Sequence, residues 1–110
     1  MKLFKGKKEL ANSVVVFDSV LAKFIGLRFK DVKQDAAYLF PISWSSLCIV
    51  DTFFVRSTID IFFLDENLRV LKARKNISPF KLIMPCRNAR FVLETASNSS
   101  IKMNDVLALA

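Results

Sequence analysis

Histidine is absent from the chain. Its absence removes the ordinary Ser-His-Asp and Cys-His catalytic pairings and weakens any zinc reading. Glycine is scarce, with two residues in 110. Gly6 and Gly26 each stand alone, so there is no glycine-rich phosphate loop. The turns must instead be built from Asn, Asp, Ser and Pro. Cysteine is limited to Cys48 and Cys86, which give neither a disulfide framework nor the short spacing of a zinc site. Both read as core thiols of a reducing compartment, with a single bridge as the alternative. Long apolar runs are missing too. The longest uncharged run, Ala36–Val50, contains Pro41 and three serines, and it falls short of the roughly 20 apolar residues that a membrane span requires. The start, Met-Lys-Leu-Phe-Lys-Gly-Lys-Lys, has the charge of a signal peptide's basic region. The following Leu10–Phe17 carries Asn12 and Ser13 and lacks a clear small-residue cleavage site. A cytoplasmic protein without a membrane span is the expectation.

What the chain does have is apolar and aromatic. Hydrophobic residues make up 53% of it, and eleven are Phe, a composition that excludes disorder and suffices for one compact domain over residues 1–110. Residues 1–9 are basic and are expected to fray or to form a weak edge strand.

The organising stretch is Ile49–Leu71. Two β-branched and aromatic segments flank one polar turn, the pattern of strands joined by a hairpin. In Ile59–Leu64, side chains alternate faces, with Ile59, Ile61 and Phe63 on one and Asp60, Phe62 and Leu64 on the other. Both faces are mostly apolar, so both should be covered. Asp60 must then be hydrogen-bonded, paired or near the rim. Asp65-Glu66-Asn67 supplies the turn, with Asn67 suited to a left-handed position, and Leu68–Ala73 returns as the partner strand. Elsewhere, strands are expected at Ser13–Phe17, Ala37–Phe40, Leu47–Val55, Phe80–Met84, Ala89–Thr95 and Val106–Leu109. A short helix over Ser19–Ile25 would have Asp18 as N-cap and Gly26 just past its end.

The net charge of +7 is uneven. Between Arg69 and Arg90 lie Arg69, Lys72, Arg74, Lys75, Lys81, Arg87 and Arg90, with no acid among them. This segment points to nucleic acid or another anionic ligand, or simply to a solvated face. Stacking on bases would need exposed aromatics. Phe80, the one aromatic in the segment, reads as a core residue. Trp44 either closes one end of the core or walls a pocket. The Phe53-Phe54 pair sends one ring to each face of its strand. Asp51 and Asp60 are the one carboxylate pair considered for acid–base chemistry. The structural alternative ties each to backbone amides or to an Arg such as Arg56.

From about Val15 to Leu107 the chain resembles the uncharacterised family known as domain of unknown function 192, in its archaeal cytoplasmic form, and three blocks carry the resemblance. Lys23-Phe24-Ile25-Gly26-Leu27-Arg28-Phe29 is similar to the family's Arg-x-x-Gly-Leu-Met-Phe-Arg block. Asp51–Asp65 is similar to its His-Thr-Phe-Phe-Met…Ile-Asp-x-x-Phe-Leu-Asp block, with Asp51 in place of the histidine and Val55 in place of the methionine. Ala89–Glu94 is similar to Ala-Lys-Tyr-Val-Leu-Glu, after which Ala96-Ser97-Asn98 replaces Pro-Ala-Gly. Asn104-Asp105 stands where the family has Gly-Asp. The resemblance implies a compact β-rich domain and no established reaction.

The fold class expected is α+β and mainly β: a small antiparallel β-roll or open barrel with one short N-terminal helix. The function expected is that of a non-enzymatic binding or accessory domain, with a ligand pocket near Trp44, Asp51, Phe54 and Asp60. The alternatives are polyanion binding through the Arg69–Arg90 segment and an enzyme using Asp51 and Asp60. No metal site and no cofactor are expected.

Overall fold

The computed structural model describes residues 1–17, 31–42, 50–52, 55–84 and 86–110, with 50 and 51 described by backbone alone. The expected helix at Ser19–Ile25, its caps Asp18 and Gly26, and Cys48 lie outside the described residues. The described chain forms β1 (Leu3–Lys5), β2 (Lys8–Ala11), β3 (Ser13–Val16), β4 (Ala36–Pro41), β5 (Val50–Asp51), β6 (Ile59–Leu64), β7 (Val70–Ile77), β8 (Leu82–Ile83), β9 (Phe91–Ala96) and β10 (Ala108–Leu109). They make three open sheets: a central one in the order β3-β4-β9-β6-β7, a second in the order β10-β1-β2, and the pair β5-β8. This is the mainly β, open architecture expected from the sequence. All central pairings are antiparallel except β3 with β4, whose connection is long enough for the crossover that parallel neighbours require.

Alternation along the central strands builds two cores. Ile59, Ile61 and Phe63 of β6 join Tyr38 and Val92 in one cluster, together with Val55, Ile83 and Ala89 from the layer that contains β8. Phe62 and Leu64 join Leu39 and Leu93 in the other, under Leu3, Ala11, Ile101 and Leu107. We call these the first and second faces. Every residue of β6 is buried, because the sheet is covered on both faces. Each fully buried Phe or Leu contributes about 1.5–3 kcal/mol, which makes β6 and β9 the energetic centre. Among the described residues, no helix is long and apolar enough to cross a membrane.

The basic N-terminal segment forms the hairpin β1–β2, and β1 lies between β2 and β10. Gly6, at φ +60°, occupies the two-residue turn between Lys5 and Lys8, where a left-handed residue is needed. Among the described residues, every other left-handed residue is not glycine. Asn76, Asn88, Asn98 and Asn104 have φ between 54° and 71°, as the shortage of glycine foretells. Asn98 and Asn104 stand where the resembling family has Gly, and Asn is the residue that best tolerates this conformation.

Two local expectations are corrected. The left-handed residue of the β6–β7 turn is Leu68, at φ 62°, not Asn67. The turn closes by a hydrogen bond from the Leu68 amide to the Asp65 carbonyl, so residues 66 and 67 are its central pair and the bend falls one position later. The Asp65 carboxylate accepts from the amides of Asn67 at 2.8 Å and Arg69 at 3.0 Å, and Leu68 packs on the second-face core. Phe80 is not a core residue: it is 64% exposed, at φ 65°. The left-handed bend turns its ring outward, and Ile83 fills the core in its place.

Candidate functional site

Asp60 is fully buried, on the second face with Phe62 and Leu64. Opposite it, β7 bulges, so that Lys75 and Asn76 lie between the register pairs Ile59–Ile77 and Ile61–Arg74. A bulge leaves a backbone amide without a ladder partner. The Asp60 carboxylate supplies it, Oδ1 accepting from the Asn76 amide at 2.9 Å. Oδ2 accepts from the Ser99 amide at 2.9 Å and from the Lys75 ammonium at 3.5 Å. Lys75 also donates to the Ser99 carbonyl and sits 5.1 Å from the centroid of the Phe62 ring. The carboxylate thus joins the bulge of β7 to the loop after β9. Sequence reasoning placed Asp60 in a ligand pocket, but its oxygens are committed to the fold.

A second buried node is Thr52, which sequence reasoning passed over. Its hydroxyl donates to the Ser78 carbonyl at 2.9 Å and accepts from the Lys81 amide at 2.8 Å. Its backbone amide donates to the Lys81 carbonyl at 2.9 Å, and its carbonyl accepts from the Phe80 amide at 3.1 Å. These bonds hold the tight turn of residues 78–81. A bulky left-handed residue costs on the order of 1–3 kcal/mol and persists only where surroundings over-determine it. Thr52 is that determinant. Thr52 is also the threonine of the family-like block, which gives that position a physical role. Beyond Phe80, Leu82 and Met84 are 62% and 56% exposed, on either side of the buried Ile83.

The seven cations of Arg69–Arg90 divide. Lys72 is in register with Phe63, and Arg74 with Ile61. Directly opposed residues share a face, so both lie on the first-face side. Lys81 and Arg87, both exposed, belong to the layer that covers that face. Among the described residues, none of these four is paired with a carboxylate. Lys75 lies on the second-face side, held by Asp60 and Ser99. Arg69 sits at the hairpin end, bridged through its backbone to Val106. Arg90 is half-buried at the foot of β9.

Of the remaining expected site residues, Trp44 and Phe54 lie outside the described residues. The backbone of Asp51 pairs with Leu82, in the layer that covers the first face. Asp60 points to the second. Arg56 pairs with Asp31 at 3.3 Å on the surface, not with Asp60. Cys86 is a free thiol at the edge of the first-face core. Burial pushes its pKa up, while a backbone hydrogen bond and the charge of Lys72 act in the other direction. A polar cleft of about 220 Å³ opens among Lys8, Glu9, Gln34, Thr95, Ser97 and Ser100, smaller than the 300–1,000 Å³ typical of small-molecule sites.

Comparison with known proteins assigns the family. The sequence profile of DUF192 (Uncharacterized ACR, COG1430) matches residues 2–106, and the chain belongs to this family. It is 28% identical over 81 residues to a UPF0127 protein of Pyrococcus horikoshii, covering 74% of this chain and 70% of that one. It is 27% identical over 94 residues to a UPF0127 protein of Pyrococcus furiosus, covering 86% and 79%. Both relatives are archaeal. A crystal structure of a protein of unknown function from Novosphingobium aromaticivorans superposes with a TM-score of 0.77 at 16% identity, covering 87% of this chain and 74% of that one. This likeness establishes a shared fold. The family has no assigned function.

Proposed function

We propose that this chain is a non-enzymatic, cytoplasmic binding module that holds a polyanion on its first-face side. The observation that carries this reading is that Lys72 and Arg74 lie on the first-face side of the sheet and Lys81 and Arg87 in the layer that covers that face, with no carboxylate among the described residues pairing any of the four. A charged edge also guards β7 against pairing with another sheet. That role accounts for Lys72 and Arg74, but not for Lys81 and Arg87, which sit on a different layer. The pocket reading built on Trp44, Asp51, Phe54 and Asp60 ranks lower, because the Asp60 oxygens already bond two backbone amides and an ammonium. An Asp51–Asp60 acid–base pair ranks lower still, since Asp60 faces away from the layer that holds β5.

The test is fluorescence anisotropy of labelled oligonucleotides titrated with protein at several salt concentrations. Affinity should fall steeply with salt. Each cation removed from Lys72, Arg74, Lys81 and Arg87 should shrink the log–log slope by about 0.7–0.9. Lys75 is left intact, because it belongs to the Asp60 node. Absence of binding at low salt would refute the reading and leave the +7 charge as a solubility feature.

A further inference from the structure

We propose that the cleft between β2 and the loop after β9 is a binding site for one neutral, polyhydroxylated ring, a monosaccharide or a cyclitol. The site is independent of the polyanion reading, because Leu3, Ala11 and Ile101 in its lining belong to the second-face core. The buried residues that line it are small or apolar: Ala11, Ala36 and Ala96, with Leu3 and Ile101. Three of these five are alanines, so little side-chain volume fills the space. The hollow measures about 220 Å³. A cavity of about 150 Å³ takes a benzene ring, so this one has room for a single six-membered ring and its substituents.

The loop wall is built into the fold. Asp60 accepts from the Ser99 amide at 2.9 Å, Lys75 donates to the Ser99 carbonyl, and the Ser99 hydroxyl accepts from the Ile101 amide at 3.3 Å. Asn98 takes the left-handed bend at φ 70°. A wall fixed in advance avoids the ordering cost of a mobile loop. From β2 the Lys8 ammonium reaches the Ser100 hydroxyl at 3.3 Å, an exposed contact that a ligand hydroxyl can replace.

The chemistry of the lining selects the ligand. Gln34, Thr95, Ser97, Asn98 and Ser100 carry carboxamides and hydroxyls, groups that both donate and accept, as ring hydroxyls do. Thr95 is 8% exposed, and its hydroxyl donates to the Ala96 carbonyl at 3.0 Å. Among the described residues no donor is bonded to its oxygen, which leaves an acceptor for a ligand O–H. The charged residues in the lining are Lys8 and Glu9, one of each sign, so neither an anion nor a cation gains a net attraction there. In a chain of charge +7, that balance separates the cleft from the basic segment. The apolar part of the lining suits the C–H face of a saturated ring.

The experiment follows the amide chemical shifts of isotope-labelled protein during titration with D-glucose, D-galactose, D-mannose and myo-inositol. Each is taken to about 100 mM, two decades above a dissociation constant of about 1 mM. Glycine and inorganic phosphate serve as charged probes. At least one of the four ring compounds should give saturable shifts confined to residues 8–11, 34–36 and 95–101. Thr95→Val keeps the shape of the side chain and should weaken that binding roughly 2- to 12-fold, the worth of one hydrogen bond. The double variant Gln34→Ala with Ser97→Ala changes only side chains at the edge of the cleft and should weaken it by at least as much. Thermal melts establish that each variant is folded. Saturable shifts that fall elsewhere, or binding that both variants leave unchanged, overturn the cleft as the site. Shifts there with phosphate or glycine and with none of the ring compounds overturn the neutral-ring assignment. No saturable shift with any of the four ring compounds overturns the proposal. None of these results bears on the oligonucleotide titrations of the basic surface.

Discussion

Replacing Asp60 with Ala should be among the most damaging single changes in this protein, and the structure gives its size. The carboxylate receives the Asn76 and Ser99 amides at 2.9 Å each and the Lys75 ammonium at 3.5 Å. A hydrogen bond to a charged group is worth about 1.5–3 kcal/mol, and an amide left without its partner pays its own desolvation. The Lys75 contact counts for less, because its side chain is 38% exposed and solvent screens it to about 0.2–1 kcal/mol. The expected loss is therefore about 3–5 kcal/mol, the usual cost of breaking a buried charged node. For a chain of this size that corresponds to a fall in Tm of roughly 12–20 °C, at about 4 °C per kcal/mol. Circular dichroism melts and urea unfolding of wild type, Asp60→Ala, Asp60→Asn and Lys75→Met give the comparison. Asp60→Asn should fall between wild type and Asp60→Ala, because the amide keeps one acceptor and turns a donor toward the other N–H. Lys75→Met should cost about 1 kcal/mol or less. A loss below about 1 kcal/mol in Asp60→Ala would refute the reasoning, since it would mean that water serves these amides as well as the carboxylate does.

Further outcomes follow from the other nodes. Thr52→Val keeps the shape and removes the hydroxyl bonded to Ser78 and Lys81, and urea unfolding should show a loss of about 1–3 kcal/mol for the orphaned groups. Asp105 is held below its ordinary value of 3.8, first by the hydrogen bond from Lys5 and then by the Lys102 amide. Its stabilising contribution is thus complete above that value and is lost as pH falls through the depressed one. Lys5→Met should therefore lower stability at pH 6 while leaving a shallower decline between pH 4 and pH 2, as read from melts across pH. Burial raises the Cys86 thiol above 9.0, so alkylation by iodoacetamide should stay slow at pH 8 and quicken only at higher pH. Removing the Lys72 charge with Lys72→Gln should shift that rate profile further upward.

Much of the fold was legible in the sequence because it depends on local alternation. Ile59–Leu64 carries apolar residues on both faces, and only a strand covered twice can use them, which is what β6 does. Four asparagines take left-handed positions because only two glycines were available to do so. The need to satisfy Asp60 followed from the cost of burying a charge. Its partners did not, since Asn76 and Ser99 reach it only when β7 and the loop after β9 flank β6 in one sheet. The same holds for Thr52, an ordinary residue in sequence whose weight comes from a turn 26 residues away.

By itself the sequence determined strand periodicity, the covered hairpin, the family-like blocks and the concentration of positive charge. Those properties are set by neighbours along the chain. The tertiary structure alone decided which side of the sheet each cation takes, bringing Lys75 to Asp60 on the second face and leaving Lys72 and Arg74 on the first-face side. It also decided that Phe80 faces solvent, because the hydrogen bonds of a buried threonine fix the left-handed bend that no local preference of phenylalanine would choose.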